Sequence, residues 1–169
     1  MNNINITLPD NSVKTFPEGI TAQDVADSIG SGLARAVLVA KINGDLKDLN
    51  YKILKDSSLE LFTGDTPEGH DTLLHSTAHL MAQAVKELYP DAKFTIGPTI
   101  ENGFYYDFDL DSSFSEDSLI QIENKMKELS KKNQDIVRCE VSTNEAVKIF
   151  EKMGESYKVE IVGQINPED

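Results

Sequence analysis

The sequence predicts an α+β chain in two units, on three observations. Residues 4–66 alternate apolar and polar positions with period two, as half-buried strands do. From Leu74 onward the apolar residues recur at helical spacing instead. Between the two patterns lies a polar run, Gly64-Asp65-Thr66-Pro67-Glu68-Gly69, with the composition of a linker.

In the first segment, Ile4-Asn5-Ile6-Thr7-Leu8 reads as a strand and Asp10-Asn11 as a turn. Ser12-Val13-Lys14-Thr15-Phe16 alternates again, which predicts a hairpin. Pro17 and Gly19 interrupt it. Thr21 is placed to cap a helix whose one face carries Val25, Ala26 and Ile29, and Gly30 stops that helix. Ala36 to Ile42 is apolar and β-branched, a central-strand pattern. Asn43-Gly44 between two such runs is the strongest kind of short hairpin signal. Leu46 to Leu49 returns, and Ser58-Leu59-Glu60-Leu61-Phe62 gives a last strand. This order suits a ubiquitin-like β-grasp, with one helix packed across a small mixed sheet.

In the second segment, Leu74, Ala78, Met81, Val85 and Leu88 line one face of a helix that starts near Thr72 and ends before Pro90. Lys93 to Ile96 reads as a short strand, broken by Gly97-Pro98. Gly103 to Asp109 reads as a strand with Phe104, Tyr106 and Phe108 on one face. Ser115 can cap a helix carrying Leu119, Ile122, Met126 and Leu129, with lysines gathered towards its C-terminal end. Ile136 to Val141 is predicted as a strand. Ser142-Thr143-Asn144-Glu145 is a capping box, and Gly154 stops the helix it opens. Tyr157 to Val162 is predicted as a final strand, followed by a polar tail, Gly163 to Asp169, that ends in mid-architecture. The expected second unit is thus an incomplete α/β two-layer arrangement, a helix on a mostly antiparallel sheet. The boundaries fall at 1–64, a linker at 65–71, and 72–169.

Composition narrows the function classes. The chain has 169 residues, with 16 basic against 29 acidic and a net charge of −13. Residues 1–66 hold 6 basic and 9 acidic residues, whereas 67–169 hold 10 and 20. A basic nucleic-acid binder is not what such a balance suggests, so any contact with a phosphate backbone needs a local basic patch or another part of a larger assembly. One cysteine, Cys139, excludes an intrachain disulfide framework and a four-cysteine zinc site. No apolar run approaches the roughly 20 residues that span a bilayer, and the start lacks the pattern of a signal peptide. A cytoplasmic chain with no membrane partner is expected.

The three histidines, His70, His75 and His79, fall within ten residues. His75 and His79 are four apart on the predicted helix, so they share a face. Such a pair can ligate a metal, or it can orient a water and a leaving group through its ring nitrogens. No Glu follows His75, so this is not the H-E-x-x-H of zinc proteases. His70 falls in the linker and is expected to be solvated. Lys158 lies between Tyr157 and Val159 in the predicted last strand, where a solvated position is the plain expectation. Tyr105 and Tyr106 suit a core or a stacking surface. Cys139 alternates with Val137 and Val141 and reads as a small core residue. No glycine-rich phosphate loop and no nucleophile elbow is present.

Several ordered motifs then converge. His75-Ser76-Thr77-Ala78-His79-Leu80 is followed by Ala84-Val85-Lys86-Glu87-Leu88-Tyr89-Pro90 and by Ile96-Gly97-Pro98. After these come Asn102-Gly103-Phe104-Tyr105-Tyr106-Asp107 and Gly154-Glu155-Ser156-Tyr157-Lys158-Val159. Together they resemble the amino-terminal region of the bacterial threonyl-tRNA synthetases. The β-grasp segment resembles that family's leading TGS domain, including Asp24-Val25-Ala26 and Val39 to Gly44. The resemblance covers essentially the whole chain.

The resemblance implies an enzyme that joins threonine to tRNA(Thr) using ATP. Serine differs by a methyl group, and a difference of that size is worth only about 1–3 kcal/mol of discrimination. The family therefore carries an editing domain that hydrolyses seryl-tRNA. His75 and His79 correspond to its histidine pair, Lys158 to its lysine, and Tyr106 to its pocket-lining aromatic region. Ester hydrolysis needs an ordered water and a proton for the departing ribose oxygen, which neutral histidines and a lysine cation can assist. The family completes the site with a downstream aspartate, cysteine and histidine. The chain ends at Asp169 before any such stretch, so the expectation is an amino-terminal fragment with part of an editing site and no ligase activity of its own. The fragment is expected to hold no cofactor; ATP, magnesium and zinc are implied for the full-length enzyme, as is a homodimer. Two other readings stay open. One is a stand-alone, non-catalytic TGS-type module that binds RNA or protein. The other is a small metal hydrolase built on His75 and His79.

Overall fold

Period-two alternation in the first segment builds a five-stranded mixed sheet in the computed structural model, which describes residues 2–111 and 113–165. Strand β1 (Asn3–Thr7) pairs antiparallel with β2 (Val13–Pro17), register Ile4 to Phe16 and Ile6 to Lys14. Between them Asn11 adopts a left-handed backbone, φ 63°, which asparagine tolerates. After β3 (Ile20–Thr21), helix α1 (Ala22–Ile29) opens on a capping box. The Thr21 hydroxyl accepts the Asp24 N–H at 3.1 Å, and the Asp24 carboxylate accepts the Thr21 N–H at 3.0 Å. The Thr21 hydroxyl, which donates to the Asp24 carboxylate at 2.6 Å, and then the Thr21 N–H hold the Asp24 carboxyl below its ordinary pKa. Gly30 ends α1, but a second helix, α2 (Ser31–Ala36), follows at once.

Strands β4 (Val37–Ile42) and β5 (Asp45–Lys47) form the predicted hairpin. Asn43 at φ 52° and Gly44 at φ 92° make the two-residue turn with positive φ at both positions that matches strand twist. The Asn43 carboxamide is tied at both ends: it donates to the Ser57 hydroxyl at 3.0 Å and accepts the Ser58 N–H at 2.9 Å. The short β6 (Lys52–Ile53) pairs with β3, and β7 (Ser57–Thr63) enters the sheet centre, parallel to β1 and antiparallel to β4. The sheet order is β2-β1-β7-β4-β5. Ile4, Ile6, Ala22, Val25, Ala40, Ile42, Ile53 and Leu59 form one buried core between α1 and the sheet. That is the predicted β-grasp.

The chain divides into two compact units, Met1–Leu74 and His75–Asp169. Helix α3 (Pro67–Leu88) opens five residues before the predicted start, inside the segment read as linker. Proline suits the first helical turn, where its missing N–H is not needed. The strand predicted over Gly103 to Asp109 is two short pieces, β10 (Gly103–Phe104) and β11 (Phe108–Asp109). They pair antiparallel with β9 (Thr99–Ile100) and β8 (Lys93–Phe94) respectively. Helix α4 (Glu116–Lys131) is capped by Ser115, and α5 (Thr143–Met153) by Ser142 with its Glu145 box, as predicted. The second core joins Ala84, Val85, Ala92, Phe94, Ile122 and Leu129, and a run of aromatic rings extends it. Phe94 meets Phe108 edge-on at 5.3 Å, and Tyr106 stacks on Phe108 at 5.0 Å.

Two predicted strands are absent. Residues 136–141 form no strand, and Ile136 and Val137 are 93% and 76% exposed. Period two alone does not make a ladder where no partner strand binds it. Cys139 is exposed with them, so it is not a core residue. Tyr157 to Val162 belongs to helix α6 (Ser156–Gln164). Gly154 at φ 74° ends α5, its N–H bonding Glu151 O at 3.0 Å while the Glu155 N–H bonds Phe150 O at 2.9 Å. This pair of bonds closes a tight helix end and turns the chain directly into α6. Helix–helix packing here overrides β-branched propensity, a weak preference in any context. Gly163 and Gln164 of the predicted tail lie in α6; residues 166–169 fall outside the described residues.

Candidate functional site

Helix α3 carries the histidines. Its four-residue spacing brings His75 and His79 together, Nε2 to Nε2 at 2.9 Å, with rings crossing at 63°. One ring supplies the N–H of that bond and the other a lone pair, so the bond holds a single proton between the two. The His79 pKa lies below the usual imidazole value: burial is the largest cause, followed by the charges of His75 and Lys158. His79 is therefore neutral at pH 7, able to accept or relay a proton. His70 sits on the same helix, exposed, its backbone N–H bonded to Thr66 O at 2.8 Å.

Lys158 reaches this place from α6, not from a strand. It is half-buried, close enough for its charge to act on His79, and its Nζ lies 5.7 Å from the centre of the Phe150 ring. Lys158 thus stands on a helix, half-buried, where the strand reading left it in solvent. Tyr106 lies in the turn between β10 and β11, half-buried and packed edge-on to Phe94 at 6.1 Å. A side chain at Gly97 would overlap the Tyr106 ring, so glycine there lets the ring lie on the backbone. Burial first, and then the charge of Glu155, raise the Tyr106 hydroxyl pKa.

Two residues that sequence reasoning gave no role form an ion pair at the start of α6. Glu155 is 3% exposed and bonds Lys86 Nζ at 2.8 Å. Both lie inside runs that carried the resemblance, but neither type nor spacing marks them: nothing in the sequence shows that a glutamate after a helix-stopping glycine will be buried. Among the described residues no group of three His, Cys, Asp or Glu side chains is placed to hold a metal ion. The histidine pair offers two nitrogens where a catalytic zinc takes three protein ligands. The donor set does not fit a metal hydrolase.

Comparison with known proteins gives a domain family for the β-grasp unit and relatives for nearly the whole chain. Residues 4–63 match the TGS domain family. The chain is 52% identical over 162 residues to the threonine–tRNA ligase of Cupriavidus pinatubonensis, covering 96% of this chain and 26% of that protein. It is 49% identical over 168 residues to that of Pelobacter propionicus, covering 99% and 26%. It is 49% identical over 159 residues to that of Acetivibrio thermocellus, covering 94% and 25%. Almost the whole chain is homologous to the amino-terminal region of the threonine–tRNA ligases, and it spans about a quarter of the length of these relatives. No helix among the described residues is long and apolar enough to cross a membrane.

Proposed function

We propose that this chain is the amino-terminal part of a threonine–tRNA ligase and contributes to the hydrolysis of mischarged seryl-tRNA(Thr). The division is 1–64 for the TGS domain, 65–71 for a connector and 72–169 for the first part of the editing domain. Charging of tRNA(Thr) with threonine belongs to the longer enzyme, with ATP, magnesium and zinc; no residue of this chain is assigned to them. The longer enzyme is a cytoplasmic homodimer in this reading, and tRNA(Thr) is its partner.

The observation that carries the reading is the pair His75–His79 at 2.9 Å with the Lys158 cation acting on it. In the hydrolysis, a water attacks the ester carbonyl, the bond from that carbonyl to the ribose oxygen breaks, and the ribose oxygen takes up a proton. A histidine pair sharing one proton can order the water and move that proton. A lysine cation stabilises the negative charge that develops on the oxygens. Tyr106 lines the pocket wall. The test is seryl-tRNA hydrolysis by the longer ligase carrying His75→Ala or His79→Ala. A rate loss of roughly 100-fold or more is expected for a lost proton-transfer group; an unchanged rate removes the reading.

A second reading draws on the first unit alone. Its core closes on its own residues, Ile6, Val25 and Leu59 among them. Such a unit can serve as a non-catalytic module that binds RNA or protein. Titration of the chain against tRNA(Thr) over a salt series separates the cases. Binding that weakens steeply with salt is the expected signature of phosphate contact, and no binding at low salt removes the RNA version.

A further inference from the structure

Lys158 is useful to the histidines only if α6 is held in place, and one buried contact holds its first turn. Glu155 lies immediately before α6 and is almost fully buried. One carboxylate oxygen takes Lys86 Nζ of α3 at 2.8 Å; the other accepts the Phe94 N–H of β8 at 3.4 Å. Lys86 is fixed in turn: it donates to Ala92 O at 3.0 Å and lies over the Phe94 ring at 5.3 Å. A buried ion pair adds little stability over an apolar pair of the same volume, because desolvation offsets the attraction. What it adds is direction. Glu155 immediately precedes α6, three residues before Lys158, and His79 and Lys86 are seven apart on one face of α3.

We propose that the Glu155–Lys86 pair is the positioning element of this site: it seats α6 on α3 and β8 and so sets Lys158 beside His79. Neither residue is a catalytic residue. The functional consequence rests on the reading of Lys158 as an editing group; the placement does not. Helix α6 also packs against α5 across the tight turn at Gly154. The Tyr157 hydroxyl donates to Asp109 at 3.0 Å in an exposed position.

The His79 titration, followed by NMR in the intact chain, reads the placement. The charges acting on it are those of His75 and Lys158. Lys158→Met removes a cation and raises the His79 pKa, which sets the reference. Glu155→Gln removes an anion, and by that direct effect alone it would lower the His79 pKa. If it releases Lys158, the pKa rises towards the reference value, and Glu155→Gln adds no rise on top of Lys158→Met. The rise and its disappearance in the double variant are the expected result. A fall, or no change, in a Glu155→Gln chain with native amide dispersion overturns the proposal.

Should Glu155→Gln fail to fold, Lys86→Met is judged by the same cycle: its upward shift must vanish in the Lys158→Met background, and a shift that persists there overturns the proposal. In the longer ligase, Glu155→Gln should slow seryl-tRNA hydrolysis roughly 100-fold in kcat with little change in KM, as misplacement by about 1 Å does. If Lys158→Met leaves that hydrolysis unchanged, the editing reading fails, while the titration still decides the placement.

Discussion

The two units solve the problem of backbone and apolar burial differently. In the first, long-range pairing satisfies the strands: five of them share one sheet, and Leu59 at its centre is 0% exposed. In the second, the ladders are two residues deep, and Ile136 stands 93% exposed on a segment outside any helix or strand. Order there comes from capped helices, a run of aromatic rings and one buried ion pair. A sheet closes on main-chain bonds that are indifferent to side-chain chemistry. A helical unit of this kind depends on a few particular side chains, so it is the more vulnerable to single substitutions at them and the more indifferent elsewhere.

The sharpest test is truncation at the two centres. Phe94→Ala removes the ring that touches Tyr106 and Phe108 and should cost about 3–5 kcal/mol, against about 2–5 for Leu59→Ala in the sheet. Urea unfolding followed separately in each unit should show each loss confined to its own unit; a shared loss would erase the comparison. Gly97→Ala comes next. Its Cβ overlaps the Tyr106 ring, so about 1–3 kcal/mol of overpacking is expected, with a displaced Tyr106 ring signal by NMR.

Caps give a smaller and more even effect. Thr21→Ala and Ser142→Ala each remove a capping box and should each cost about 1 kcal/mol by thermal or urea melts. Acid should add a contribution peculiar to the second unit. The folded pKa of His79 is lowered, so the unfolded chain binds that proton first. The stabilisation is present above the ordinary histidine value of about 6.5 and is lost as pH falls below it towards the folded value. A urea series between neutral and mildly acid pH, with His79→Gln as the control that removes the slope, checks the sign. Smallest of all, Ile136→Thr should change stability by less than about 0.5 kcal/mol, because the side chain is already in water.

Legibility in the sequence follows the same divide. The β-grasp could be read because each local signal agreed with the global fold: alternation in β1 and β2, the Thr21 cap, the Asn43-Gly44 turn. Helix α2 was missed, since six residues after a stopping glycine carry no period to detect. In the second unit the caps Ser115, Ser142 and Gly154 and the histidine face were legible. Tyr157 to Val162 was not, because its β-branched alternation is the same in a strand and in a short helix held by tertiary contact. The histidines were found through their spacing and Lys158 through its motif, yet only the fold brings the lysine to them. Glu155 and Lys86 were invisible as a pair: they are 69 residues apart, and burial of a charge is a property of the packed structure.

The Asn43-Gly44 turn also bears on how the protein ages. Asparagine followed by glycine is the dipeptide most prone to cyclise through the next backbone nitrogen and lose its amide. In the folded chain that reaction is obstructed, because the Asn43 carboxamide is held by Ser57 and Ser58 and cannot swing onto the Gly44 nitrogen. Once the hairpin opens, the same residue is a chemical clock. Deamidation at Asn43, read by mass spectrometry in stored samples, therefore records the time the first unit has spent unfolded.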